Sequence, residues 1–164
     1  MVSFQEQMDE YKSQMEKGTI KQAYQQLMEY LMGLRTYFQK KYPDYYVSGN
    51  VYYGYMDMTY FSVIPETLKQ RKLKIAIVFN HDTCGFEVWL AAANKTIQTK
   101  YWKMFKESGW NKYRIAPTIK GYDSIIETNL VDNPDYNDLA GLTQQIVIGT
   151  FDFINDVEEF IIKK

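Results

Sequence analysis

The chain has one cysteine, Cys84, and one histidine, His81. A single thiol forms no internal disulfide. One Cys with one His also falls short of an ordinary structural zinc site. Positive charge is not in excess: 19 Lys and Arg face 20 Asp and Glu, a formal net charge of −1. No global field therefore draws the chain to nucleic acid or to an anionic membrane. No run of about 18 apolar residues is present, so no segment reads as membrane-spanning. The stretch Met1 to Glu6 has no basic region followed by an apolar run, so no secretory signal is expected. A phosphate-cradling glycine loop, a nucleophile elbow and a His-Glu-x-x-His pattern are also missing. These absences lead to the expectation of a cytoplasmic protein with no cofactor, no metal ion, no nucleic-acid partner and no membrane partner.

Aromatic residues are abundant, at 16% of the chain with 15 tyrosines. Tyrosine joins a large contact area to a polar tip that seeks a partner. Such a composition serves an aromatic core with wet edges or an aromatic-lined pocket. The length of 164 residues fits one domain, residues 1–164, large enough to bury a core.

Ser3-Phe-Gln-Glu6 is a capping-box pattern that opens a helix. Phe4, Met8, Tyr11 and Met15 follow on one helical face, and Gly18 ends the run. Residues 1–17 thus read as an amphipathic N-terminal helix, packed on the core or peripheral to it. A second apolar stripe runs from Ile20 through Leu27, Leu31 and Leu34 to Phe38. Tyr42-Pro43 ends it, because the residue before proline leaves the helical region.

The middle of the chain reads as sheet. Val51 to Ile64 holds four tyrosines, two valines, a phenylalanine, an isoleucine and a threonine, all strand-favouring. Leu73 to Phe79 and Phe86 to Ala91 are two further strands, joined by the turn cluster Asn80 to Gly85. Asn94 caps a helix that runs to about Ser108. Tyr113 to Thr118 and Tyr122 to Val131 are two more strands, and Asn137 or Asp138 caps a final helix. The order is α-βββ-α-ββ-α. Grouped strands favour an α+β fold with one antiparallel sheet of about five strands, covered by helices mainly on one face.

Asp57 is the odd residue of the first strand, because an unpaired carboxylate is costly to bury. Pairing Phe79 with Phe86, and Ile64 with Leu73, puts Tyr53, Tyr55, Asp57, Thr59, Glu87 and Trp89 on one face. That face mixes carboxylates with aromatics. The opposite one, with Met56, Met58, Ile75, Ile77, Val88 and Leu90, reads as core. The mixed face is a solvated sheet surface or a ligand face, and a register slip of one residue exchanges the two.

Other candidates carry less chemistry. His81 sits in a hairpin turn, and Cys84 has no cluster of positive charge to activate it. Asp123 and Glu127 are four apart on a strand, roughly 13 Å at normal rise, too far to share one metal ion. Lys95, Lys100, Lys103 and Lys106 beside Tyr101 and Trp102 fit a solvated helix face.

Several stretches together resemble a family of uncharacterised small bacterial proteins, a domain of unknown function. They are Lys17-Gly-Thr-Ile-Lys-Gln-Ala-Tyr24, Lys41-Tyr-Pro-Asp-Tyr45, Gly54-Tyr-Met-Asp-Met-Thr-Tyr-Phe61, Leu73-Lys-Ile-Ala-Ile-Val-Phe79, Phe86-Glu-Val-Trp-Leu-Ala91 and Asp123-Ser-Ile-Ile-Glu127. The resemblance spans nearly the whole chain. It implies a soluble bacterial protein of one domain and brings no activity with it.

The leading expectation is a binding protein that uses Tyr53, Tyr55, Asp57, Thr59, Glu87 and Trp89 for a small molecule, a peptide or another subunit. The alternative is a hydrolase or nuclease-like enzyme with Asp57 and Glu87 as acid/base or metal ligands. That chemistry needs the two carboxylates within roughly 4 to 9 Å. A third expectation is an interaction protein whose N-terminal helix docks on a partner or on a second copy.

Overall fold

The structure is a computed structural model and describes residues 1–163. Ser3 caps helix α1, Phe4–Lys17, through a complete capping box: its Oγ accepts from Glu6 N–H, and Glu6 accepts from Ser3 N–H. Gly18, at φ +83°, ends α1 in the left-handed region and passes directly into α2, Thr19–Lys41. Helix α1 buries none of its residues, whereas α2 buries Met28, Leu31, Leu34 and Phe38.

Six strands follow: β1 Tyr46–Val47, β2 Met58–Ile64, β3 Leu73–Asn80, β4 Gly85–Ala92, β5 Arg114–Ile115 and β6 Ser124–Val131. The short helix α3, Glu66–Lys69, links β2 to β3. Helix α4, Lys95–Glu107, starts where Asn94 accepts from Ile97 N–H. Helix α5, Leu139–Ile162, starts where Asp138 accepts from Gly141 N–H. The strands form one antiparallel sheet in the order β1-β2-β3-β4-β6-β5. The fold is α+β, and it has one strand more than about five. The addition is β1, whose two residues pair with Ile64 and Val63.

One sheet face carries Phe61, Val63, Ile75, Ile77, Phe79, Phe86, Val88 and Leu90, all nearly or fully buried. Against it pack Leu31, Leu34 and Phe38 of α2, Tyr101 and Phe105 of α4, and Phe153, Ile154 and Val157 of α5. The helices thus cover this face. The opposite face carries Tyr60, Asn80, Glu87 and Trp89, all part-exposed. No helix among the described residues is long and apolar enough to cross a membrane.

The stretch from Val51 to Ile64 is not one strand. Its first half turns back, and Tyr52 bridges to Tyr60 in antiparallel fashion. Gly54 at φ +74° and Met56 at φ +64° make the reversal. A Cβ on Gly54 would lie 2.1 Å from the Met58 carbonyl oxygen, so only glycine fits there.

The β3–β4 register is the expected one, with Phe79 opposite Phe86 and Ala76 opposite Trp89. The β2–β3 register differs by one residue: Thr59 pairs with Phe79 and Met58 with Asn80. The helical turn α3 and Lys72 at φ +58° set the length of the link, which strand-to-strand counting does not capture. A slip of one residue exchanges the faces of a strand. Thr59 therefore goes under the helices and Met58 to the open side. Met56 is exposed and does not join the core.

Candidate functional site

The open sheet face forms a cleft of about 770 Å³. Its floor is built from Met58, Asn80, Glu87, Trp89 and Glu127, and its rim from Lys112–Arg114 and Gly121–Ser124. Alternation along β3 and β4 puts Asn80, Glu87 and Trp89 on the same side. Glu127 joins them because it pairs with Trp89 across β4 and β6.

A bulge completes this constellation. Leu90 pairs with Ile126 but Ala91 pairs with Ser124, so Ile125 is the extra residue. Ser124 and Glu127, three apart, then share a side, and Ser124 Oγ donates to Glu127 Oε2 at 2.7 Å. From the edge strand, Arg114 pairs with Glu127 in register and donates to Oε1 at 2.6 Å.

Glu87 is held in a comparable way. Asn80 Nδ2 donates to Oε2 at 2.8 Å, and Trp89 Nε1 donates to Oε1 at 3.0 Å. Both carboxylates are thus oriented, and each keeps lone pairs for a further donor. Three carboxylates line the cleft, Glu87, Asp123 and Glu127, against the two cations Lys112 and Arg114. Both cations are engaged, Lys112 with Asp156 and Arg114 with Glu127. Three minus two leaves one negative charge in excess on the lining.

The six residues expected to share a face are divided. Glu87 and Trp89 line the cleft. Tyr55 is 92% exposed, away from it. Tyr53 is half-exposed, and its carbonyl accepts from the Thr59 hydroxyl at 2.7 Å. Thr59 is 0% exposed on the helix-covered side. Asp57 closes the turn: Oδ1 accepts from Tyr55 N–H at 2.9 Å and from Met58 N–H at 2.7 Å. These two bonds hold its carboxyl below the usual carboxylate range. The carboxylate is thus committed to its own turn, while Glu87 stands in the cleft. Asp57 is not among the residues that line the cleft. Among the described residues, no group of three or more His, Cys, Asp or Glu is placed to hold a metal ion.

A family model described as a domain of unknown function, DUF7000, matches residues 4–161. The chain belongs to that family. No curated protein and no solved structure matches it significantly. The match runs from the first residue of α1 almost to the end of α5, so the whole cleft lies inside the family domain. Of its lining, Arg114, Tyr122 and Ser124 carried no signal in the sequence. Their placement depends on the β5–β6 register and the Ile125 bulge, and only the acidic pair Asp123 and Glu127 marked the strand.

Proposed function

We propose that this DUF7000 protein is a non-catalytic binding protein whose open-face cleft takes a small molecule or peptide bearing a positive group. The observation that carries this reading is the pair of oriented carboxylates next to Trp89: Glu87, two residues along its strand, and Glu127, its cross-strand partner. An indole face attracts an organic cation, and carboxylates accept its N–H donors. The excess negative charge of the lining and its part-exposed aromatic floor suit such a ligand. A cytoplasmic location fits the exposed, unpaired Cys84, since reducing compartments keep thiols free. The bacterial source rests on the resemblance of the quoted sequence stretches.

Thermal-shift screening tests the proposal with small primary amines and basic dipeptides, each paired with its N-acetylated counterpart. A ligand at 100 times its Kd stabilises by about 2.7 kcal/mol, a Tm rise of roughly 5–10 °C for a chain of this size. The rise is expected for amines and not for their acetylated forms, and Trp89→Ala and Glu87→Gln abolish it. A shift that survives Trp89→Ala, or no shift from any cation, ends the reading.

A second reading rests on α1. Phe4, Met8 and Tyr11 are exposed on one stripe, with Phe4 at 78%. A 14-residue helix with no buried residue is marginal on its own in water. A role for this stripe in self-association follows from that uncovered surface.

A further inference from the structure

We propose that a second cavity, on the helix-covered side of the sheet, binds a neutral aromatic alcohol, with the His81 Nδ1 atom as acceptor for its hydroxyl. This cavity is a half-open groove of about 500 Å³ between α2, the β3–β4 hairpin and the start of α5. That size lies within the range of small-molecule sites, roughly 300–1,000 Å³. It is separate from the open-face cleft, because Phe79 and Thr59 point to the side opposite Asn80 and Glu87.

The walls define the ligand's body. Ile20, Ala23, Leu27, Phe79 and Leu139 supply apolar surface, and Tyr24, Tyr30 and Tyr136 supply rings. No Asp, Glu, Lys or Arg stands on the lining. A charged ligand would lose part of its hydration there without gaining a counter-ion. Two of the three tyrosine hydroxyls are already engaged: Tyr30 with Thr143 at 2.9 Å, and Tyr136 as donor to the Cys84 carbonyl at 2.7 Å, while Tyr24 and Gln26 are exposed at the rim. Burial pushes the Tyr136 hydroxyl up to about 12, so it stays neutral at physiological pH. The occupant is therefore neutral and largely apolar.

His81 supplies the polar anchor. Its ring stacks beside Tyr24 at 6.3 Å and meets Phe79 edge-on at 4.8 Å. Thr59 sets its tautomer. The Thr59 hydroxyl has one proton, and that proton goes to the Tyr53 carbonyl oxygen. The 2.8 Å contact between Thr59 Oγ1 and His81 Nε2 must then take its proton from the imidazole. With Nε2 protonated, Nδ1 of the neutral ring keeps a bare lone pair. It has no partner among the described residues. Burial favours the neutral ring. A locked acceptor beside stacked rings matches a planar ring carrying one hydroxyl donor.

The test uses the full chain with 1-naphthol as probe, and 1-methoxynaphthalene as the same shape without the donor. Saturable binding of 1-naphthol is expected, with a shift of the single imidazole's NMR signals. The ether should bind about tenfold more weakly, the worth of one hydrogen bond. Leu139→Trp, at the partly exposed mouth, should abolish binding of both compounds, whereas Trp89→Ala in the other cleft should leave it unchanged. The comparison of the two compounds on the unmodified chain needs no variant and holds even if one fails to fold. Equal affinity for alcohol and ether overturns the assignment of Nδ1. Binding that survives Leu139→Trp or fails with Trp89→Ala overturns the site. So does self-association of the free chain that Leu139→Trp abolishes, since the cavity would then be an interface between copies.

Discussion

His81 donates its Nε2 proton to Thr59 Oγ1 across 2.8 Å, and Thr59 passes its own proton to the Tyr53 carbonyl. This relay joins the β3–β4 hairpin to β2 and to the turn before it. A second bond runs the same way, from His81 N–H to the Asp57 carbonyl at 3.0 Å.

The imidazole should therefore titrate below its ordinary value. Burial lowers its pKa, and the charges of Asp57 and Asp82 offset part of that. Folding thus leaves His81 less protonated than in the unfolded chain, whose value is about 6.5. Its contribution to stability is whole above that value. It is lost as pH falls through the folded pKa. As the only histidine, it gives one resolvable imidazole signal in an NMR titration. The midpoint is expected below 6.5. Between about pH 7 and pH 5, the unmodified chain should lose more Tm than His81→Gln, which keeps a donor for Thr59. A midpoint at or above the ordinary value refutes this.

The turn at 54–57 is held by its glycine and its carboxylate, and two substitutions separate them. Gly54→Ala puts a Cβ at φ +74° and 2.1 Å from the Met58 oxygen. It should cost about 1–3 kcal/mol in denaturant unfolding. Asp57→Ala removes the acceptor of two backbone N–H groups and should lower Tm. Asp57→Asn keeps an oxygen at that place and should retain most of the stability. Ligand binding in the open-face cleft should be unchanged by either Asp57 substitution. A loss of binding without loss of Tm would place Asp57 in the site after all.

This turn also marks where the sequence was legible and where it was not. Helix limits were readable at Ser3, Gly18 and Asn94, and to within one residue at Asn137 or Asp138, because caps satisfy specific backbone groups with specific side chains. The Phe79–Phe86 register was readable because a short hairpin link leaves little freedom. Within Val51 to Ile64, strand-favouring residues masked a reversal whose signals were Gly54 and Asp57, both depleted from strands. Met56 at positive φ had no signal, since tertiary context imposes that conformation. The β2 register slipped because α3 and Lys72 set the link. Glu87 and Trp89, whose faces depend on β3 and β4 alone, lie together on the open sheet face, and Thr59 does not.

Thr150 offers a test of buried polarity. It is fully buried in α5, and its hydroxyl has no hydrogen-bond partner. A buried, unpartnered hydroxyl destabilises, and valine has nearly its shape. Thr150→Val should therefore raise stability by about 1 kcal/mol in denaturant unfolding. Thr150→Ser keeps the hydroxyl, loses a methyl group from the core and should be less stable than the unmodified chain. A loss of stability in Thr150→Val would show that the hydroxyl has a partner in solution.

Removal of residues 1–17 separates core from interface at α1. The helix buries no residue, and Gly18 ends it in the left-handed region. Its loss takes no side chain from either core cluster. The shortened chain should melt within about 2 °C of the full one, as surface changes do in a chain of this size. If Phe4, Met8 and Tyr11 face a second copy, sedimentation should show the full chain associating with rising concentration and the shortened chain remaining monomeric. The triple variant Phe4→Ser, Met8→Ser, Tyr11→Ser should do the same without altering chain length. A large fall in Tm with unchanged mass would instead mean that α1 packs on its own domain in solution.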